Sequence, residues 1–118
     1  MSHSYLRGMS ISVNPDELQV VAGKYGRAAY ILTTGDDARV RITHAVVRVT
    51  EGSVRCKLGR GAAANVGERP GVSLLWAATD TEPMSLIADG TASADPDGEP
   101  GFFVIAVESA VLHRAAPA

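Results

Sequence analysis

Six of the 11 basic residues fall between positions 39 and 60: Arg39, Arg41, Arg48, Arg55, Lys57 and Arg60. Cations at alternate positions of a strand usually make a solvated face, and that reading stays open. Lys57 and Arg60, however, lie either side of Gly59 and precede a possible helix start, where backbone N–H groups and cations jointly hold a phosphate. The segment that follows, RGAAANVGERPGVSLLW from Arg60 to Trp76, is rich in small residues that let backbone approach a large planar ligand closely. It is either a connector with a short helix or a ligand seat.

Other chemistries have less to work with. Cys56 is the only cysteine, so no intrachain disulfide can form. With no base at a recognisable spacing, it reads as a small hydrophobe in a strand. His3, His44 and His113 are scattered, without the close helical spacing of a zinc-protease site, and no metal site is expected. His44 reads as a residue in or beside a sheet, His113 as a strand-edge or interface residue. The chain contains no G-x-G-x-x-G, no G-x-x-x-x-G-K-[ST] loop and no G-x-S-x-G elbow. The list of catalytic side chains is therefore empty.

The elements that must position these residues are mostly strands. Alternating or apolar runs separated by Gly, Asp and Pro turns predict strands near 27–34, 38–50, 53–58, 71–77, 84–94 and 101–113. The 84–94 strand is expected to bend at Gly90. The alternation of the second run shifts around Ala45-Val46-Val47, which permits a bulge or a part buried on both faces. Asn14-Pro15-Asp16-Glu17 is a clear helix start, predicting a helix from about 15 to 24 with Leu18, Val21 and Ala22 on one apolar face. Residues 59–66 can form a second short helix or a turn. Six strands and one or two short helices predict an all-β fold, an antiparallel barrel. One domain over 1–118 is expected, with 1–12 as a flexible N-terminal segment.

The totals agree with an ordinary folded chain. It has 118 residues, 46% hydrophobic and 20% charged, with a formal net charge of -2. That balance gives no support to nucleic-acid or membrane-surface binding. The N-terminal residues do not read as a secretion signal and no 18-residue apolar run occurs, so a cytoplasmic protein is expected.

The order of pieces resembles a known family. GDDARVRITHAVVRV, a strand ending in KLGRG, AAANVGERPGVSLLW and LIADGTAS are similar to the pyridoxamine 5'-phosphate oxidase-like family. That family includes FMN-binding split barrels and actinobacterial flavin- and deazaflavin-dependent reductases. The resemblance covers roughly residues 14 to 113. Asn65-Val66 matches the family's Asn-Leu pair, Pro70 to Leu74 its proline-led strand, and Asp89-Gly90-Thr91-Ala92 its Glu-Gly-Thr-Ala.

The resemblance implies a six-stranded antiparallel split β-barrel that forms a homodimer, with FMN or coenzyme F420 in a groove between subunits. It implies Arg41, Thr43 and His44 beside the ring, and Lys57, Arg60, Gly61 and Asn65 around the phosphate. It also implies hydride transfer to or from a small planar organic substrate. One departure matters: the family's basic side chain three residues before the asparagine is Ala62 here. That leaves open a deazaflavin, whose anionic tail would draw on Arg55 and Arg69, or FMN, or no cofactor at all. The alternative function is a non-catalytic cofactor-binding or degenerate dimeric split barrel.

Overall fold

The computed structural model describes residues 10–116. Its strands are β1 (Ser10–Val13), β2 (Ala28–Thr34), β3 (Val40–Thr50), β4 (Ser53–Lys57), β5 (Gly71–Trp76), β6 (Ser85–Ala94) and β7 (Phe102–His113). Helix α1 (Leu18–Ala22) runs between 3-10 turns at Pro15–Glu17 and Gly23–Tyr25, and α2 spans Arg60–Glu68. All strand pairs are antiparallel, in the order β1-β7-β4-β3-β2-β5-β6, and β6 pairs back onto β7. Strands β2 to β7 thus close a six-stranded barrel, the fold expected from the sequence.

β1 is an addition. Ser10–Val13 pairs with Ala110–His113 of β7, beyond the stretch of β7 that pairs with β4. Residues 10–12 therefore belong to a strand and not to the flexible segment expected over 1–12; residues 1–9 lie outside the described residues. The free edge at the end of β7 supplies hydrogen-bonding partners that a four-residue segment cannot find locally.

The chain between β1 and β2 folds for local reasons. The Asn14 side chain accepts from the Asp16 N–H at 3.0 Å, and Glu17 accepts from the Asn14 N–H at 3.3 Å. This reciprocal cap stops the chain from continuing as strand. Leu18 and Ala22 then turn into the core and Val21 packs against it, as the spacing predicts.

The barrel core is aliphatic, with Ile31, Val54, Leu74, Leu86 and Ile105 fully buried beside Trp76. Each such side chain contributes roughly 1.5–3 kcal/mol by leaving water. The predicted bend in β6 is present. Register on β7 shifts between Asp89 and Gly90, and Gly90 packs directly on the Ala106 carbonyl.

β3 carries no bulge at Ala45-Val46-Val47. Instead it changes neighbour there, pairing with β2 through Val46 and with β4 from Val47 onward. Nor is this part buried on both faces: Val46 is exposed while Val47 packs against the core. Val40, Ile42 and Val46 are each more than half exposed on the outer face, with Tyr30 beside them.

Candidate functional site

The change of neighbour in β3 creates the main opening of the barrel. β3 has β2 beside it from Val40 to Val46 but shares only its Val47–Thr50 end with β4. Past Lys57, the chain leaves through Leu58 and Gly59 into α2. The two strands diverge, and a cavity of about 920 Å³ lies between them. Thr43, His44 and Val46 line it from β3, and Cys56 and Lys57 from β4, with Gly59 at the start of α2. Ligand pockets commonly span about 300–1,000 Å³, a range that includes this volume.

Its electrostatics favour anions. Arg27, Arg48, Arg55 and Lys57 line the cavity against a single carboxylate, Asp95. Arg55 Nη1 lies 3.6 Å from Asp95 Oδ2, and Asp95 in turn accepts from the Asp97 N–H at 3.0 Å. The Lys57 ammonium sits 5.9 Å from the centre of the Phe102 ring, its cross-strand partner. No side chain caps the start of α2 at Gly59, so its first N–H groups remain available as donors. A cofactor phosphate suits this donor set. Burial pushes the Cys56 thiol from 9.0 up to about 11, which keeps it a protonated hydrophobe.

The residues singled out in the sequence divide between two cavities. Thr43, His44 and Lys57 line the large one. Arg41 and Asn65 line a second, of about 560 Å³, on the side of the β2–β3 turn. Gly61 lies under Arg41: a Cβ at position 61 would stand 2.6 Å from Arg41 Cζ. Arg60 is exposed in the first turn of α2 and lines neither cavity.

Asn65 has a structural partner. Its Nδ2 donates to Thr33 Oγ1 at 3.1 Å, and Thr33 is fully buried, so the amide ties α2 to β2. His44 faces outward, stacked on Tyr30 with ring centres 4.4 Å apart and planes 16° from parallel. Arg69 donates to Asp36 at 2.8 Å, linking α2's end to the β2–β3 turn. Ala62 is buried in the core. A lysine at that backbone position would point inward, so the departure at Ala62 marks a packing position in this chain.

Arg27 and Phe102 escaped sequence reasoning because distant segments bring them to the cavity. The only available signals were one of two phenylalanines after a strong turn and an arginine at a strand start. Among the described residues no group of three or more His, Cys, Asp or Glu is placed to hold a metal ion, and no helix is long and apolar enough to cross a membrane.

Solved structures share this architecture. A FAD-binding protein from Mesorhizobium loti superposes with TM-score 0.67 at 13% identity, over 91% of this chain and 98% of that one. A Listeria innocua protein provisionally assigned as a pyridoxamine 5'-phosphate oxidase gives 0.63 at 12%, over 83% and 96%. An F420 reductase gives 0.54 at 14%, over 76% and 87%. No protein-family profile and no curated protein matches the sequence. The fold is the split barrel of the pyridoxamine 5'-phosphate oxidase-like proteins; at these identities the likeness is one of fold.

Proposed function

We propose that this chain binds a flavin or deazaflavin in the groove between β3 and β4 and serves as an oxidoreductase for a small planar organic substrate. The observation that carries the reading is the opening of about 920 Å³ at the divergence of the two strands, with Lys57 and the uncapped start of α2 at one end. The FAD-binding and F420 reductase names of structural neighbours support the same ligand class.

When bound, the cofactor supplies hydride acceptance and donation, and the protein supplies binding and orientation. Lys57 and the first N–H groups of α2 would hold its phosphate, the Thr43 hydroxyl would be available to its polar atoms, and Phe102 and Val46 would exclude water from its apolar parts. Both FMN and coenzyme F420 remain candidates. Of the two outer arginines that would draw an F420 tail, Arg69 is tied to Asp36, while Arg55 lines the groove with Asp95 beside it.

A homodimer belongs to this reading. The apolar residues Val72, Leu74, Trp76 and Ile105 of β5 and β7 are buried in the core of the single chain. Among the described residues, Ile11, Val20, Tyr30, Val40, Ile42 and Val46 are the large apolar side chains left exposed; the last four lie on β2 and β3 and adjoin the groove at Val46. A cytoplasmic site of action belongs to it too.

Purified protein titrated with FMN and with coenzyme F420, followed by absorbance, tests the binding. Micromolar or tighter binding of either supports the reading, and no binding of either refutes it. Binding without turnover of any planar electron acceptor would favour the non-catalytic alternative. Sedimentation equilibrium at tens of micromolar tests the dimer, and a lone 12.3 kDa species would exclude it.

A further inference from the structure

The dipeptide Asp-Gly occurs at Asp89-Gly90 and again at Asp97-Gly98. An aspartyl carboxyl before a glycine can close on the next backbone nitrogen, because glycine has no Cβ to obstruct the approach and lets the chain turn. The fold holds these two pairs in opposite conditions.

Asp89-Gly90 lies in the barrel wall. Both residues are paired with β5 on one side and β7 on the other, and Gly90 is buried against the Ala106 carbonyl. The Asp89 carboxylate also accepts from the Ser73 hydroxyl. Bringing the Gly90 nitrogen onto the Asp89 carboxyl would therefore mean opening two strand pairings.

Asp97-Gly98 is exposed in the turn between β6 and β7. Among the described residues the Asp97 carboxyl has no hydrogen-bond or ion-pair partner. The Gly98 N–H makes one bond, to the Asp95 carbonyl, at 3.2 Å. Packing also fixes glycine at this position. A Cβ on residue 98 would stand 2.9 Å from Phe102 Cβ and 3.2 Å from Asp95 Cβ. The turn thus requires the reactive dipeptide and leaves it accessible to water.

We propose that Asp97-Gly98 is a site of spontaneous isoaspartate formation. The Gly98 nitrogen gives up its proton and bonds to Asp97 Cγ, and the carboxyl hydroxyl leaves as water, closing a succinimide. Water then adds to either ring carbonyl. Breaking the bond from nitrogen to the side-chain carbonyl restores aspartate, and breaking the bond to the α-carbonyl gives isoaspartate. No oxidant or reductant takes part. In the product the backbone runs through Cβ and Cγ, longer by a methylene, and a free α-carboxylate stands at residue 97. This turn joins Asp95 to Phe102, both of which line the large groove, so the modification lengthens the link between two groove residues. The site is independent of the cofactor reading.

Incubation of the full chain at near-neutral pH and physiological temperature tests it, with one sample folded and one unfolded in guanidinium. Endoproteinase Asp-N cuts before aspartate and not before isoaspartate, and fragment mass spectra of the digest locate the modified residue. In the folded chain isoaspartate at residue 97 should exceed that at residue 89 by more than about tenfold, because exposed turns open at almost no cost and core strands only near the global unfolding free energy. In guanidinium the two sites should react alike. Asp97→Glu keeps the charge but closes a larger ring more slowly, and it should abolish the signal at residue 97. Equal accumulation at the two sites in the folded chain overturns the proposal. So does a rate at residue 97 more than about tenfold slower in the folded chain than in the unfolded one, since the turn would then be protected like a core strand. A signal that persists in Asp97→Glu overturns it as well, because the modified residue would lie elsewhere.

Discussion

Replacing Gly61 with alanine puts a methyl group where the Arg41 guanidinium lies. The new Cβ would stand 2.6 Å from Arg41 Cζ and 2.9 Å from Nε and Nη1. Ordinary contact begins near 3.4 Å, so the guanidinium must recede by about 0.8 Å. It is the far end of a flexible side chain, and an off-rotamer adjustment costs about 0.5–1.5 kcal/mol. Against this, alanine is better than glycine in a helix by up to about 1 kcal/mol. The net change is within about 1 kcal/mol of zero, but Arg41 loses its seat beside α2. Urea unfolding of Gly61→Ala, Arg41→Ala and the double mutant resolves the terms. Alanine at 61 should be more favourable without Arg41, by a coupling of about 1 kcal/mol. A loss above about 2 kcal/mol in both backgrounds would refute the reasoning, because the glycine would then be required by something other than Arg41.

Gly90→Ala should behave differently. Its Cβ meets the Ala106 carbonyl, backbone that cannot swing aside, so denaturant titration should show a loss of about 3 kcal/mol or more. Asn65→Ala should cost about 1–3 kcal/mol in the same assay, because it strands the buried Thr33 hydroxyl. For Cys56, with its pKa raised from 9.0 to about 11, the unfolded chain ionises first. Its contribution to stability is complete below about pH 9 and falls away as pH rises to about 11, a slope that Cys56→Ala should remove in unfolding measured at pH 8 and 10. Lys57→Ala should weaken cofactor binding roughly ten- to hundredfold in fluorescence titration, and Arg60→Ala by clearly less, since Arg60 stands outside the groove.

The strands were legible because their ends carry local signals. Gly35-Asp36-Asp37, Glu51-Gly52-Ser53 and the Asp95–Gly101 turn stop alternating runs wherever they occur, and no tertiary contact is needed to read them. β1 was illegible for the opposite reason: Ser10–Val13 is strand only because the end of β7 has a free edge. The site was half legible. Thr43, His44 and Lys57 reach the groove, but Arg27 and Phe102 are brought there by distant segments. Ala62 shows the limit most clearly. In the linear sequence it looks like a missing cation, and in the fold it is a core residue.

The groove and the closed barrel arise from the same uneven pairing. β6 and β7 are matched from Ser85–His113 to Ala94–Phe103 with one register shift at Asp89/Gly90, giving the barrel a wall paired along its whole length. β3 is different: each half has a single neighbour, β2 for Val40–Val46 and β4 for Val47–Thr50. The unpartnered flanks leave backbone donors and acceptors that must be met by water or by a ligand.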